Sequence, residues 1–165
     1  MANPAHEPDN WRWKAGPVDP STAIVFDMDG VLSDAAGRQH FLEWPYRDWE
    51  AFFEACGDDE LIDEVARLLA VISEDHQIIL LTARPIRVQP QTLAWLRRYD
   101  LRWDLLVMRD FGDYGVSREF KRRAVADLRH FGFDLRLAFE DDRRNYLMFH
   151  EEGIPCVYIH SGYYD

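Results

Sequence analysis

The stretch Ala23-Ile24-Val25-Phe26-Asp27-Met28-Asp29-Gly30-Val31-Leu32-Ser33-Asp34 constrains this chain more than any other, because a short apolar run ends abruptly in two carboxylates. Ala23 to Phe26 is β-branched and aromatic with no polar alternation, as in a strand buried on both faces of a parallel sheet. Gly30 stops it. Side chains at i and i+2 leave a strand on one side, so Asp27 and Asp29 are expected to project together into the crevice beyond the strand's carboxyl end, where open α/β sheets bind ligands. Two bare carboxylates that close repel each other. They are tolerated when a hard divalent cation such as Mg²⁺ lies between them, or when one holds a proton. The plainer alternative is a strand end whose aspartates only cap the next turn.

The same grammar recurs downstream. Gln77-Ile78-Ile79-Leu80-Leu81-Thr82-Ala83-Arg84-Pro85 reads as a second buried strand ending in polar residues. Leu101 to Met108 reads as a third, Leu135-Arg136-Leu137-Ala138-Phe139-Glu140-Asp141-Asp142-Arg143 as a fourth with an acidic end, and Pro155 to Ile159 as a fifth. Between them, helical periodicity is expected within 50–74, over 90–100, over 118–130 and over 146–152, the last closed by Gly153. Five apolar strands alternating with helices give an α/β fold of Rossmann-like type, a parallel sheet flanked by helices. By alternation Glu140 is expected to point away from the crevice. Residues 1–20 carry prolines and polar residues and read as an irregular arm; residues 21–165 form the domain, with a small helical insert at about 35–75. That insert is too short to be a large cap. Trp11 and Trp13, spaced by two, either pack on the outside of the sheet or stack a nucleobase.

Length and composition narrow the classes. The chain has 165 residues, 47% of them hydrophobic, enough for one domain with a real core and too apolar for disorder. No run approaches the roughly 20 apolar residues of a membrane span, and Met1-Ala2-Asn3-Pro4 does not open a signal peptide, so a soluble cytoplasmic protein without a membrane partner is expected. Cys56 and Cys156 lack metal-ligand spacing and are expected as buried free thiols. The net charge of −11 argues against tight nonspecific duplex binding. Of the 19 basic residues only Lys14 and Lys121 are lysines, which singles out Lys121 in a helix beside the expected crevice.

Asp27-Met28-Asp29-Gly30-Val31-Leu32 resembles the first motif of the haloacid-dehalogenase-like (HAD) hydrolases, most of which are Mg²⁺-dependent phosphatases. The resemblance implies a HAD fold, with Asp27 as the nucleophile that becomes an aspartyl-phosphate and Asp29 as the acid and then base. It implies further that Thr82 bonds a phosphoryl oxygen and that Lys121 neutralises the nucleophile and holds the phosphate. Asp141 or Asp142 would complete a Mg²⁺ shell begun by Asp27 and Asp29. Arg84, two residues beyond Thr82, can reach the same phosphate with a bidentate fork.

Three further features resemble the 3′-phosphatase domain of bacteriophage-type polynucleotide kinases: Gly37-Arg38 eleven residues after Asp27, the short helical insert, and the closing pattern from Leu137 through Arg143 to Ser161-Gly162-Tyr163. In that family the positions matching Arg38 and Arg84 are essential phosphate or substrate contacts, alongside the matching aspartates. No GxxxxGK[ST] is present, so no kinase half is expected, and Ser117 stands where the family has an Asp four residues before the motif lysine. The expected substrate is a phosphate monoester on a nucleic-acid 3′ end or a nucleotide. A small phosphorylated metabolite, or a non-catalytic binding module, are the alternatives. Oligomeric state and the role of Asp113 are left open by the residues.

Overall fold

The computed structural model describes residues 6–164, so the first five residues of the expected arm, and Asp165, lie outside the described residues. The strands are β1 (Trp11–Trp13), β2 (Thr22–Phe26), β3 (Ser33–Asp34), β4 (Glu60–Leu61), β5 (Gln77–Pro85), β6 (Leu105–Arg109), β7 (Asp134–Glu140) and β8 (Cys156–Tyr158). The α-helices are α1 (Trp49–Glu54), α2 (Asp63–Val71), α3 (Gln89–Arg98), α4 (Ser117–Phe131) and α5 (Arg143–Glu151).

Six strands, not the expected five, form the main sheet in the order β1-β6-β5-β2-β7-β8. The five expected strands are mutually parallel, and β1 adds an antiparallel edge against β6. The expectation of an irregular arm missed this strand because three residues are too few for a period-2 signal. The Trp11 and Trp13 rings are buried against Phe131 and Phe133, so they pack on the sheet and neither is offered to a base.

Alternation along the strands divides the core. Ala23, Val25, Ile79, Leu81, Leu105 and Val107 face α4 and α5, where Phe120, Val125, Leu128, Met148 and Phe149 cover them. Ile24, Phe26, Ile78, Leu80, Leu106 and Met108 face Val65 and Leu69 of α2 and Trp95 and Leu96 of α3. Both faces of the sheet are thereby dry, which is why its strands read as continuous apolar runs. β2 lies at the centre with β5 on one side and β7 on the other. The chain reverses its winding there, and the carboxyl ends of these three strands open a crevice at the switch point.

The helical periodicity expected within 50–74 is divided between α1 and α2. The insert breaks after α1 into a 3₁₀ turn at Ala55–Asp58, and β4 then pairs with β3, directly beyond the Asp27–Asp29 turn. Gly57, Asp58 and Asp59 are poor helix formers, and the break carries Asp59 into the interior, where it is 7% exposed. α5 starts at Arg143, three residues before the expected position, because the Asp142 side chain accepts from Arg144 N and caps it.

Candidate active site

β2 ends as the two carboxylates leave the sheet. Asp27 N still donates to Phe139 O at 3.0 Å, which ties the start of the turn to β7. Met28 O then accepts from the backbone N–H of Val31, Leu32 and Ser33, closing the turn tightly. Gly30 has φ +80°, and a Cβ there would lie 2.0 Å from Asp141 Oδ2. Only glycine admits both that dihedral and the close approach of Asp141.

The two aspartates meet opposite surroundings. Lys121 Nζ, buried in α4, donates to Asp27 Oδ1 at 2.9 Å and to Glu140 Oε1 at 2.5 Å. Glu140 Oε2 accepts from the backbone N–H of Asp141 and Asp142, so this fully buried carboxylate holds both the lysine and the turn after β7. Burial, reinforced by the charge of Glu140, raises the Asp27 pKa well above the ordinary value even with Lys121 beside it. Burial also pulls Lys121 down, but the charges of Asp27 and Glu140 prevail and raise it.

Asp29 faces cations instead. Arg38 Nη2 reaches its Oδ1 at 2.5 Å, and Arg84 reaches the same oxygen through Nε at 3.0 Å and Nη2 at 2.6 Å. Burial raises the Asp29 pKa, but Arg84 and Arg38 outweigh it, so Asp29 is held below the usual carboxylate range. Behind the guanidinium groups lies Asp59, which accepts from Arg38 Nε at 2.9 Å and Nη2 at 2.7 Å and from Ser33 Oγ at 2.6 Å. Arg84 is completed by Ser33 Oγ at 2.9 Å and Thr92 Oγ1 at 3.2 Å. Arg38 also lies over the Phe52 ring, 4.3 Å from its centroid. The two arginines expected as forks on a phosphate are therefore engaged as a clamp on Asp29, all three bonds falling on Oδ1.

Among the described residues the carboxylates that converge as a possible metal site are Asp27, Glu140 and Asp141, each with an oxygen within 4.8 Å of the others. Both Asp141 oxygens are buried without a hydrogen-bond partner; Ser161 and Asp27 sit near enough to temper its pKa but not in bonding geometry. Burial first, then the charge of Glu140, pushes Asp141 up to about 7. An acidic oxygen pair buried without a donor fits a hard divalent cation, with Asp27 and Asp141 as the side chains free to hold it. Two members of the expected metal set of Asp27, Asp29, Asp141 and Asp142 carry other bonds here: Asp29 Oδ1 accepts from both arginines, and Asp142 accepts from Arg144 N, Nε and Nη2 at 2.9, 3.1 and 2.9 Å.

Glu140 corrects a further expectation. Alternation puts it on the α4 face of the sheet, but Lys121 stands there beside Asp27, so the Glu140 carboxylate remains within 4.8 Å of oxygens of Asp27 and Asp141. Asp59 had no signal beyond an acidic run at 58–60, since what it pairs with is distant in sequence. Thr82 is 1% exposed at the end of β5, its Oγ1 accepting from Arg84 N at 3.2 Å, which leaves its proton free for a ligand. Asp113 bonds Arg123 at 2.7 Å and Gly115 N at 3.2 Å, so it orders its own loop and does not touch Lys121. Ser117 Oγ accepts from Asn145 Nδ2 at 3.2 Å.

Asp27, Asp29, Thr82, Lys121 and Asp142 line one cavity of about 1120 Å³. It is bounded by α1 of the insert, by the 109–118 segment after β6, and by Tyr163 and Tyr164 near the carboxyl terminus. Among the described residues no helix is long and apolar enough to cross a membrane, and Cys56 and Cys156 are both free and buried.

The fold is shared with several solved structures. A structure of the Pnkp1/Rnl/Hen1 RNA repair complex aligns with a TM-score of 0.73 at 24% identity, covering 95% of this chain and 48% of that one. The class C acid phosphatase from Bacillus anthracis with tungstate bound aligns at 0.59 and 16%, covering 91% of this chain and 70% of that one. A HAD-superfamily hydrolase from Geobacter sulfurreducens aligns at 0.54 and 17%, covering 83% and 86%. At such identities the likeness is one of fold, and this chain spans about half the length of the chain it matches in that complex. Among curated proteins none matches. The family model for the polynucleotide kinase PNKP phosphatase domain matches residues 21–164, which is nearly the whole chain and contains every side chain of the site, and the chain belongs to that family of HAD-type phosphatases.

Proposed function

We propose that this protein is a Mg²⁺-dependent phosphomonoesterase that works through an aspartyl-phosphate on Asp27 and acts on nucleic-acid 3′-phosphate ends or nucleotides. The observation that carries the reading is the division of labour at the end of β2: Asp27 is paired with Lys121 at 2.9 Å beside an unbonded Asp141, while Asp29 is clamped by two arginines. A nucleophile and a proton carrier need such unlike surroundings.

In this mechanism Asp27 attacks phosphorus in line, forming the P–O bond as the bond to the ester oxygen breaks. Thr82 and Lys121 hold the phosphoryl oxygens, and Lys121 offsets charge at the nucleophile. Asp27 and Asp141 would hold a divalent cation, which would polarise the phosphoryl group and offset its negative charge. Asp29 delivers a proton to the departing alcohol. The arginines keep it ionised until substrate binds, and a phosphate dianion brought beside it opposes them, raising its pKa toward the acid form. In the second half Asp29, again a carboxylate, takes a proton from water, which attacks phosphorus, regenerates Asp27 and releases phosphate.

The test is hydrolysis of a 3′-phosphorylated oligonucleotide, a 3′-nucleotide, a 5′-nucleotide and an aryl phosphate, with Mg²⁺ and with excess chelator. Turnover that stops on chelation and in Asp27→Asn, with a fluoride phosphate mimic trapped at Asp27, is the expected result. Full activity in chelator or in Asp27→Asn overturns the mechanism. Equal turnover of every ester removes the nucleic-acid substrate and leaves a general phosphatase.

A further inference from the structure

Burial has claimed Trp11, Trp13, Trp95 and Trp103, yet several large aromatic side chains stay in water, and four of them, Trp49, Phe111, Tyr114 and Tyr164, line the cavity above Asp27. Trp49 is 49% exposed at the start of α1, while Phe111 and Tyr114 are 79% and 93% exposed in the loop after β6. Exposed aromatics gathered at one concave site mark a surface kept for a ligand.

The wall carrying Trp49 is built. Asp48 caps α1 by accepting from Ala51 N, and the Trp49 ring stacks on Phe53 at 5.9 Å and 26° and meets Phe52 edge-on at 5.7 Å. Phe52 in turn carries Arg38, so the aromatic wall and the clamp on Asp29 are one packed unit. The opposite loop is fixed by Asp110 Oδ1 accepting from Phe111 N at 2.7 Å and by Arg109 Nη1 donating to Gly115 O at 2.8 Å. Despite the net charge of −11, Arg47 and Arg118 line the same cavity and have no carboxylate partner among the described residues. A volume of about 1120 Å³ exceeds what a bare phosphorylated sugar fills. Aromatic faces with unpaired guanidinium groups beside them are the chemistry of an unpaired base on an anionic backbone.

We propose that Trp49 and Tyr114 form a stacking site for the nucleobase next to the scissile phosphate, with Arg47 and Arg118 attracting the preceding backbone, so that the enzyme selects single-stranded 3′ ends by their terminal base. This rests on the phosphatase reading of the same site and adds the residues that set its selectivity. At a duplex end the terminal base is paired and stacked on its neighbour through one face, so it cannot enter between two rings unless the end frays.

The experiment compares three 3′-type secondary esters: a single-stranded oligonucleotide with a 3′-phosphate, the same oligonucleotide with its terminal base removed, and glycerol 2-phosphate. In the wild-type protein KM for the abasic end is expected to be higher by about 5- to 150-fold, the range of one base–aromatic stack. In Trp49→Ala and Tyr114→Ala the ratio of kcat/KM for the oligonucleotide over that for glycerol 2-phosphate is expected to fall in that range together, and Trp49→Phe to restore most of it. Equal KM for base-bearing and abasic ends in the wild-type protein overturns the stacking site but leaves the phosphatase standing, and needs no variant to fold. An unchanged ratio in both alanine variants does the same. No turnover of any ester overturns both readings.

Discussion

Replacing Asp59 by asparagine removes a charge from a buried cluster without removing much volume, which makes it the sharpest probe of the clamp. Arg38, Arg84, Asp29 and Asp59 together carry no net charge, and the two arginines are 2% and 0% exposed. Asp59→Asn leaves one positive charge uncompensated. Breaking a buried pair in this way costs about 3–5 kcal/mol, and because the amide carbonyl still accepts one of the bonds made by Arg38 or Ser33 we place the cost near ~3 kcal/mol. For a domain of this size that is a drop in Tm of about 6–12 °C, readable by thermal melting and by urea denaturation with an unchanged m-value. A purely structural loss would end there. The clamp demands more, because the arginines freed from Asp59 fall wholly to Asp29 and depress its pKa further. The alkaline limb of the kcat profile should therefore move to lower pH, with kcat reduced on the order of 10- to 100-fold, less than the roughly 10²–10⁴-fold of a whole general acid–base contribution because Asp29 itself remains. Melting within about 2 °C of wild type, or an unmoved alkaline limb, would refute the reasoning.

Lys121→Met strips the cation from between Asp27 and the fully buried Glu140, and should cost about 3–5 kcal/mol in denaturant unfolding and at least ~10²-fold in kcat/KM; wild-type kinetics would remove Lys121 from the mechanism. Lys121→Arg should rescue little, since the planar fork cannot replace a compact ammonium seated between two carboxylates. In chelator, stability should fall as pH rises from about 4 to about 7. Asp141 binds its proton up to about 7 in the folded protein but only to its ordinary value when unfolded, so the native state holds more protons in that window. Asp27 is shifted the same way, whereas Asp29, shifted down, matters only at lower pH. Added Mg²⁺ should flatten this slope, and a metal-free Tm that rises over that range would contradict the assignment of Asp141.

The elements with dense local signals were legible in the sequence. β2, β5 and β7 are apolar on both faces because helices cover both sides of the sheet, and Asp27 and Asp29 follow from the two-residue period of a strand. Lys121 stood out by scarcity, and Thr82 and Arg84 by their place at a strand end. Tertiary structure decided what those groups face. Arg38 and Arg84 could be ranked as functional but not aimed, because their partner Asp59 comes from an insert whose fold depends on β4 pairing with β3. Asp142 became a helix cap and Glu140 the seat of Lys121, a distinction between adjacent acidic residues that rests on which helix packs behind them. The sixth strand and the burial of Trp11 and Trp13 needed the edge of β6 as a template, since three residues carry no periodicity of their own. The aromatic wall at Trp49 was equally silent in sequence. An exposed and a buried tryptophan differ only in what the rest of the chain brings against them.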